Sequence, residues 1–143
     1  MKIGLIDVDG HNFPNLPLMK ISAYHKAKGD EVSWYNPFEG EKDVVYLSKV
    51  FDSSISKDYD APIYAEQIIK GGTGYSDLAA VLPQEIEHHY PDYGLYNIND
   101  TAYGFLTRGC PRACGFCIVS EKEGYRSQQV ADLSEYREDC SKI

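Results

Sequence analysis

Ile3-Gly4-Leu5-Ile6-Asp7-Val8 decides the fold, because this short apolar run ending in acids predicts a buried first strand. A loop over Gly10 to Pro14 follows, and then a helix that Asn15 caps, with Pro17 in its first turn and Gly29 at its end. One face of this predicted helix carries Leu18, Ile21, Ser22 and His25.

Two further strands are predicted, at Glu31 to Tyr35 and at Asp43 to Phe51. The order strand, helix, strand predicts an α/β fold with a small, doubly wound parallel sheet and right-handed crossovers. The stretch from Ala61 to Lys70 is compatible with one helix or with a strand at Gln67 to Lys70. We favour the strand, because Gly71-Gly72-Thr-Gly74 suits a loop at the carboxyl end of a strand.

A connecting segment is predicted from about Val81 to Asp100, which is rich in Pro, Tyr, Asn and Asp and lacks a sustained apolar period. We therefore place a domain boundary near residue 95, with an α/β domain over 1–95 and a second domain over 96–143. In the second domain we expect a strand at Thr101 to Thr107 and a helix near Asp132 to Arg137.

Composition narrows the class of protein. The 143 residues suffice for one ordinary domain, and 43% apolar with 13% aromatic residues indicates a globular chain. The net charge of −8 gives no general attraction for nucleic acid. The amino-terminal apolar run is soon interrupted by acids, which predicts neither a signal peptide nor a membrane span and favours a cytoplasmic location. In that reducing compartment, closely spaced cysteines favour metal binding or catalysis over disulfides.

Three cysteines lie close together in Cys110-Pro-Arg-Ala-Cys114-Gly-Phe-Cys117. Thiolates are soft ligands that select iron–sulfur clusters, zinc or cuprous copper. Three thiolates on a four-iron cluster leave one iron open to another ligand. The spacing therefore favours a reactive site over a closed structural one.

This pattern, with the aromatic Phe116 before the third cysteine, resembles the signature of the radical SAM enzymes. The flanking Thr107-Arg-Gly-Cys-Pro111 is similar to the subset with an N-terminal cobalamin-binding-like domain. The resemblance implies that Cys110, Cys114 and Cys117 ligate a 4Fe-4S cluster whose open iron chelates S-adenosylmethionine. It implies radical generation and hydrogen abstraction from a substrate, with a flavodoxin or ferredoxin as electron donor. It also implies that Phe116 lies beside the adenine and that Arg108 and Pro111 shape the loop.

The length after the cysteines is short for this family. A six-stranded partial barrel needs about 200 residues at roughly 30 for each strand–helix unit. We therefore expect the chain to correspond to the first part of such an enzyme, a truncated barrel that is inactive alone. Whether the chain itself is an enzyme stays open.

A cobalamin motif is present only in degenerate form. Asp9-Gly-His11-Asn-Phe-Pro14 resembles Asp-x-His-x-x-Gly, with Pro14 in place of the final glycine. Ser48 and the pair Gly71-Gly72 fall near the positions where such domains keep a serine and paired glycines. These features favour a cobalamin-type fold that holds no cobalamin over one that binds it.

Several alternatives accompany this interpretation. Cys140 can be a fourth thiolate, which would make a closed zinc site in a non-enzymatic metal-binding or interaction module, or it can be a free thiol. Asp7, Asp9 and His11 can form a hard-metal or acid–base cluster, although capping of the next turn is preferred. Of the other histidines, His25 is expected in the core, and His88 and His89 are expected in solvent. Four basic residues surround the cysteines and receive no assigned partner: Arg108, Arg112, Lys122 and Arg126.

Overall fold

The computed structural model describes residues 1–10, 12–75 and 81–138, so His11 and Cys140 lie outside the described residues. The chain divides into two compact units, the first running from Met1 to Asn99 and the second beginning at Asp100. The first unit contains β1 (Lys2–Asp7), α1 (Leu16–Ala27), β2 (Glu31–Trp34), β3 (Lys42–Ser48), β4 (Ala65–Gly71) and α2 (Gln84–Glu87). The second unit contains β5 (Thr107–Arg108), α3 (Val119–Glu123) and β6 (Gln128–Gln129).

The first unit is built on a four-stranded parallel sheet in the order β2-β1-β3-β4. This confirms the α/β class and the parallel sheet, and β4 confirms the strand favoured at Gln67 to Lys70. The strand order reverses between β1 and β3, so the carboxyl ends of these two strands, Asp7 and Ser48, lie side by side in register. In open α/β sheets this is the place where ligand crevices form.

Helix α1 begins and ends as its sequence predicts. The Asn15 side chain accepts a hydrogen bond from the Leu18 N–H at 3.2 Å, which satisfies one of the free donors of the first turn. Gly29 follows the helix with a φ of +83°, a conformation that favours glycine. The four residues predicted to share the inner face are all buried: Leu18, Ile21, Ser22 and His25.

One face of the sheet packs against helices. Ile3, Leu5 and Val44 form a buried cluster with residues of α1 and with Ile86 of α2. The segment after residue 81 therefore belongs to the first unit, and the prediction of a mere connecting segment is wrong there. Although the segment is mostly polar, its Ile86 is only 4% exposed, and burial of this side chain holds the segment against the core.

The opposite face has no α-helix among the described residues, although Tyr75 of a 3-10 turn packs on it. Ile6, Val45 and Leu47 are covered instead by Tyr59 and Ile63 of the irregular segment between β3 and β4. This segment turns early. The Asp52 carboxylate accepts a hydrogen bond from the Ser54 N–H at 2.8 Å, which holds the backbone in a turn soon after β3.

The second unit differs from the prediction of a barrel strand. Only the end of the predicted strand Thr101 to Thr107 is regular, and β5 pairs antiparallel with β6. Gly104 and Phe105 instead pack on an aromatic ring, since a Cβ on Gly104 would lie 2.4 Å from the Tyr136 ring and the Tyr136 hydroxyl donates to the Phe105 carbonyl at 3.2 Å. The helix expected near Asp132 to Arg137 is a single 3-10 turn at Leu133–Glu135.

None of the helices in the described part of the chain is long and apolar enough to cross a membrane.

Candidate metal centre

Cys110, Cys114 and Cys117 lie on one loop, which joins β5 to α3 in the second unit. All three are free thiols; Cys114 is exposed, and the other two are partly buried. The loop thus presents three soft donors within eight residues.

The loop begins at a point where two backbone segments cross closely. Gly109 has a φ of +88°, and a Cβ on it would lie 2.1 Å from the Arg126 carbonyl oxygen. The next residue, Cys110, donates its N–H to the Gly124 carbonyl at 3.1 Å. Only glycine fits position 109, because both the positive φ and the close approach exclude a side chain.

The carboxylate of Glu123 closes the base of the loop. It accepts a hydrogen bond from Arg108 Nη1 at 2.8 Å and from the Gly109 N–H at 3.1 Å. The Arg108 guanidinium also lies 4.8 Å from the centre of the Phe105 ring. The sequence carries no signal for Glu123, because no local motif connects it to an arginine fifteen positions away.

The cysteine-bearing part of the loop is turned tightly. The Cys117 N–H donates to the Cys114 carbonyl at 2.9 Å, and Ala113 has a φ of +46°. At the other end, the Ser120 hydroxyl donates to the Cys110 carbonyl at 3.3 Å. Phe116 is 94% exposed, so its ring is directed away from any described core.

The donor set suits a thiolate-bound metal or cluster, because three soft donors share one anchored loop. Among the described residues, no three His, Cys, Asp or Glu side chains are already gathered in a metal-binding arrangement. The fit is therefore one of ligand chemistry and of loop anchoring. Of the neighbouring basic residues, Arg108 is held by Glu123, whereas Arg112 and Arg126 are exposed.

The carboxyl ends of β1 and β3 form a second polar cluster, in the first unit. The Tyr96 hydroxyl donates to Asp7 Oδ2 at 2.6 Å, and the Asn15 amide donates to the Ser48 hydroxyl at 2.9 Å. Burial, together with the hydrogen bond to Asp7, raises the pKa of Tyr96 well above its ordinary value. The sequence carries no signal for Tyr96, because the contact spans 89 positions.

Asp9 and Gly72, which belong to the degenerate cobalamin motif, make contacts with other parts of the first unit. The Asp9 carboxylate accepts hydrogen bonds from the N–H groups of Val50 at 2.6 Å and Phe51 at 3.3 Å. It therefore holds the segment after β3, 41 positions away, and not the next turn of its own segment as the sequence predicted. Gly72 has a φ of +103°, and a Cβ there would lie 2.1 Å from the Lys49 carbonyl oxygen. Of the paired glycines, Gly72 is thus required by backbone packing, whereas a Cβ on Gly71 would meet no atom within 4 Å.

Two other buried polar residues of the first unit, His25 and Lys49, have partners within the protein. His25 lies between Asp30, at 2.7 Å, and the Tyr46 hydroxyl, at 3.1 Å, which confirms the prediction of a satisfied core histidine. Lys49 is fully buried, and its ammonium group binds Asp58 and, at 3.0 Å, the Ser53 hydroxyl.

Comparison with known proteins gives no relative from which a function could be assigned. No family model matches the chain, and neither a curated protein nor a solved structure matches it significantly.

Proposed function

We propose that the chain is the N-terminal part of a radical SAM enzyme, in which the cysteine loop holds a 4Fe-4S cluster and S-adenosylmethionine. The observation that carries this proposal is the set of three free thiols, in Cys-x3-Cys-x2-Cys order, on a loop anchored at both ends. The second unit is the part of the chain to which the proposal applies.

The donor set supports an open cluster more than a closed site. Three thiolates, those of Cys110, Cys114 and Cys117, would bind three irons and leave the fourth for the amino and carboxylate groups of S-adenosylmethionine. When bound, this pair of cofactors supplies a carbon-centred radical that removes a hydrogen atom from a substrate.

The chain's own residues would position these groups. Glu123 and the Gly124 carbonyl hold the first residues of the loop, which reduces the freedom that Cys110 would lose on binding. Phe116, exposed at the turn between two cysteines, would lie beside the adenine and limit its contact with water.

The first unit supports the proposal by its architecture alone. A small parallel α/β sheet is the expected N-terminal neighbour of the cysteine loop in the family subset that the sequence resembles. The proposal does not include cobalamin, because Asp9, Ser48 and Gly72 already serve intramolecular contacts. A reduced flavodoxin or ferredoxin is the electron donor that this function would require, and the substrate stays open.

Anaerobic reconstitution of the full chain with iron and sulfide tests the proposal. We expect about four irons and four sulfides per chain, and a reduced electron paramagnetic resonance spectrum that changes when S-adenosylmethionine is added. Cys114→Ser should lose the cluster. Cys140→Ser is the matched control and should retain it.

Zinc binding is the competing function, and the tight turn between Cys114 and Cys117 favours it specifically, because zinc knuckles use this two-residue spacing. Stoichiometric zinc that iron and sulfide cannot replace, and that is lost in Cys140→Ser, would overturn the cluster proposal. A cluster whose spectrum is unchanged by S-adenosylmethionine would overturn the proposal that the fourth iron binds this cofactor.

A further inference from the structure

We propose that the outer edge of β4 is a self-association surface, on which a second copy of this chain pairs its own β4 antiparallel and extends the sheet across a two-fold axis. This inference concerns the first unit and is independent of the proposed function. It follows from the strand order, from the pattern of exposure along β4 and from the position of its charges.

Strand β4 is an open edge of the sheet. Among the described residues it pairs only with β3, and the order β2-β1-β3-β4 places it last. It is seven residues long, whereas the opposite edge strand, β2, has four. A long strand edge presents unpaired N–H and C=O groups on alternate residues, which is a template for a further strand.

The side chains of β4 divide between the two faces of the sheet. Ile69 packs against the core on the helical face. Glu66, Ile68 and Lys70 alternate with it and therefore share the opposite face, where Ile68 remains 45% exposed. An exposed isoleucine in the middle of an open edge strand is apolar surface that a neighbouring strand would cover.

The charges on this strand select the partner and the register. Glu66 and Lys70 are the only charged residues of Ala65–Gly71, and they lie two positions before and two positions after Ile68. In an antiparallel pair centred on Ile68, Glu66 of each copy lies opposite Lys70 of the other, and the two Ile68 side chains meet on the axis. Opposite charges directly across a strand pair stabilise it, and like charges destabilise it. A shift of the centre to Gln67 or Ile69 loses both ion pairs.

The contact is self-complementary, as a two-fold interface requires. A single strand pair is a smaller contact than the standard interface of about 1,600 Å². We therefore expect a reversible dimer whose population rises with concentration.

Sedimentation of the reduced full chain from micromolar to millimolar concentration tests the proposal, with reductant present so that the exposed Cys114 forms no intermolecular disulfide. The wild-type chain should shift from monomer to dimer. Glu66→Lys and Lys70→Glu each turn both ion pairs into like-charge pairs, and each should weaken the dimer by about tenfold or more.

The decisive measurement combines the two reversals. A mixture of the Glu66→Lys and Lys70→Glu chains should form a heterodimer, since each then carries one sign of charge, and the double variant should recover the wild-type dimer. Glu31→Lys on the opposite edge strand and Lys57→Glu in the irregular segment make the same net charge changes at exposed sites and should leave the dimer intact. Trp34 fluorescence would verify that each variant is folded.

A chain that stays monomeric at millimolar concentration would overturn the proposal. So would a dimer that both single reversals leave unchanged, because its interface would then lie elsewhere, or a mixture of the two single variants that fails to associate.

Discussion

The Arg108 guanidinium and the Glu123 carboxylate meet across the base of the cysteine loop, with Nη1 and Oε1 2.8 Å apart. The second carboxylate oxygen accepts the Gly109 N–H at 3.1 Å. The Glu123 side chain therefore holds both the Arg108 side chain, which precedes the loop, and the Gly109 amide, which is the first of the loop.

Glu123→Ala should therefore weaken metal or cluster binding while leaving the first unit folded. Loss of charge-assisted hydrogen bonds at this partly exposed position is worth about 1–2 kcal/mol, or about tenfold in occupancy at limiting iron. Iron and sulfide per chain, together with hydrogen exchange of the Gly109 amide, measure the effect. Glu121→Ala, an exposed acid on the same helix, is the matched control. Equal loading and equal amide protection in the two variants would contradict this role.

A second prediction concerns Gly72, the glycine that follows β4. Gly72→Ala should destabilise the first unit by about 3 kcal/mol, because a positive φ costs about 1–2 kcal/mol and the clash with the Lys49 carbonyl adds to it. Gly29→Ala has a similar φ of +83° with no atom within 4 Å, so it isolates the conformational cost alone. Urea unfolding followed by Trp34 fluorescence compares them. Equal losses would show that the carbonyl moves aside at no cost.

The buried ion pair between Lys49 and Asp58 should respond unequally to loss of either partner. The Lys49 side chain is fully buried, whereas Asp58 is 58% exposed. Asp58→Ala leaves a buried ammonium without its counter-ion and should cost about 3 kcal/mol. Lys49→Met leaves only a solvated carboxylate and an apolar chain of similar length, so it should cost clearly less. The opposite order in urea unfolding would mean that water reaches the ammonium group.

The sequence is sufficient to predict those features that depend on local chemistry. Asn15 caps α1 and Gly72 takes a positive φ, because each needs only its own residue type and a few neighbours. The apolar run from Ile3 likewise predicts a buried strand, since such residues are stable only when removed from water.

Contacts between distant segments are what the sequence conceals. Segment 81–99 has a loop's composition, yet Ile86 and Asp92 attach it to α1 across more than sixty positions. The predicted strand at Thr101 to Thr107 fails because the ring of Tyr136 packs against Gly104, a pairing that no local pattern announces. Hydrophobic periodicity predicts the structure of one segment, whereas packing between segments depends on the side chains of both.

Asp92 is the anchor of that docked segment. Its carboxylate accepts hydrogen bonds from the Ser22 hydroxyl and the Lys26 ammonium, both at 2.6 Å. Burial by itself would raise the pKa of Asp92, but the bonds from Lys26 and Ser22 outweigh burial and lower the pKa below its ordinary value. A carboxyl with a lowered pKa stabilises the fold above its unfolded pKa of about 3.9, and this stabilisation is lost as the pH falls through the folded value.

Asp92→Asn should therefore destabilise the first unit by about 1–3 kcal/mol at pH 7, and the difference from the wild type should shrink below about pH 4. Urea unfolding followed by Trp34 fluorescence at neutral and acidic pH measures this difference directly, so that the protonation of other carboxylates cancels. Asp60→Asn, at an exposed position, should differ little from the wild type at either pH. If the Asp92→Asn difference were as large in acid as at neutrality, the anchor would act by shape and not by charge.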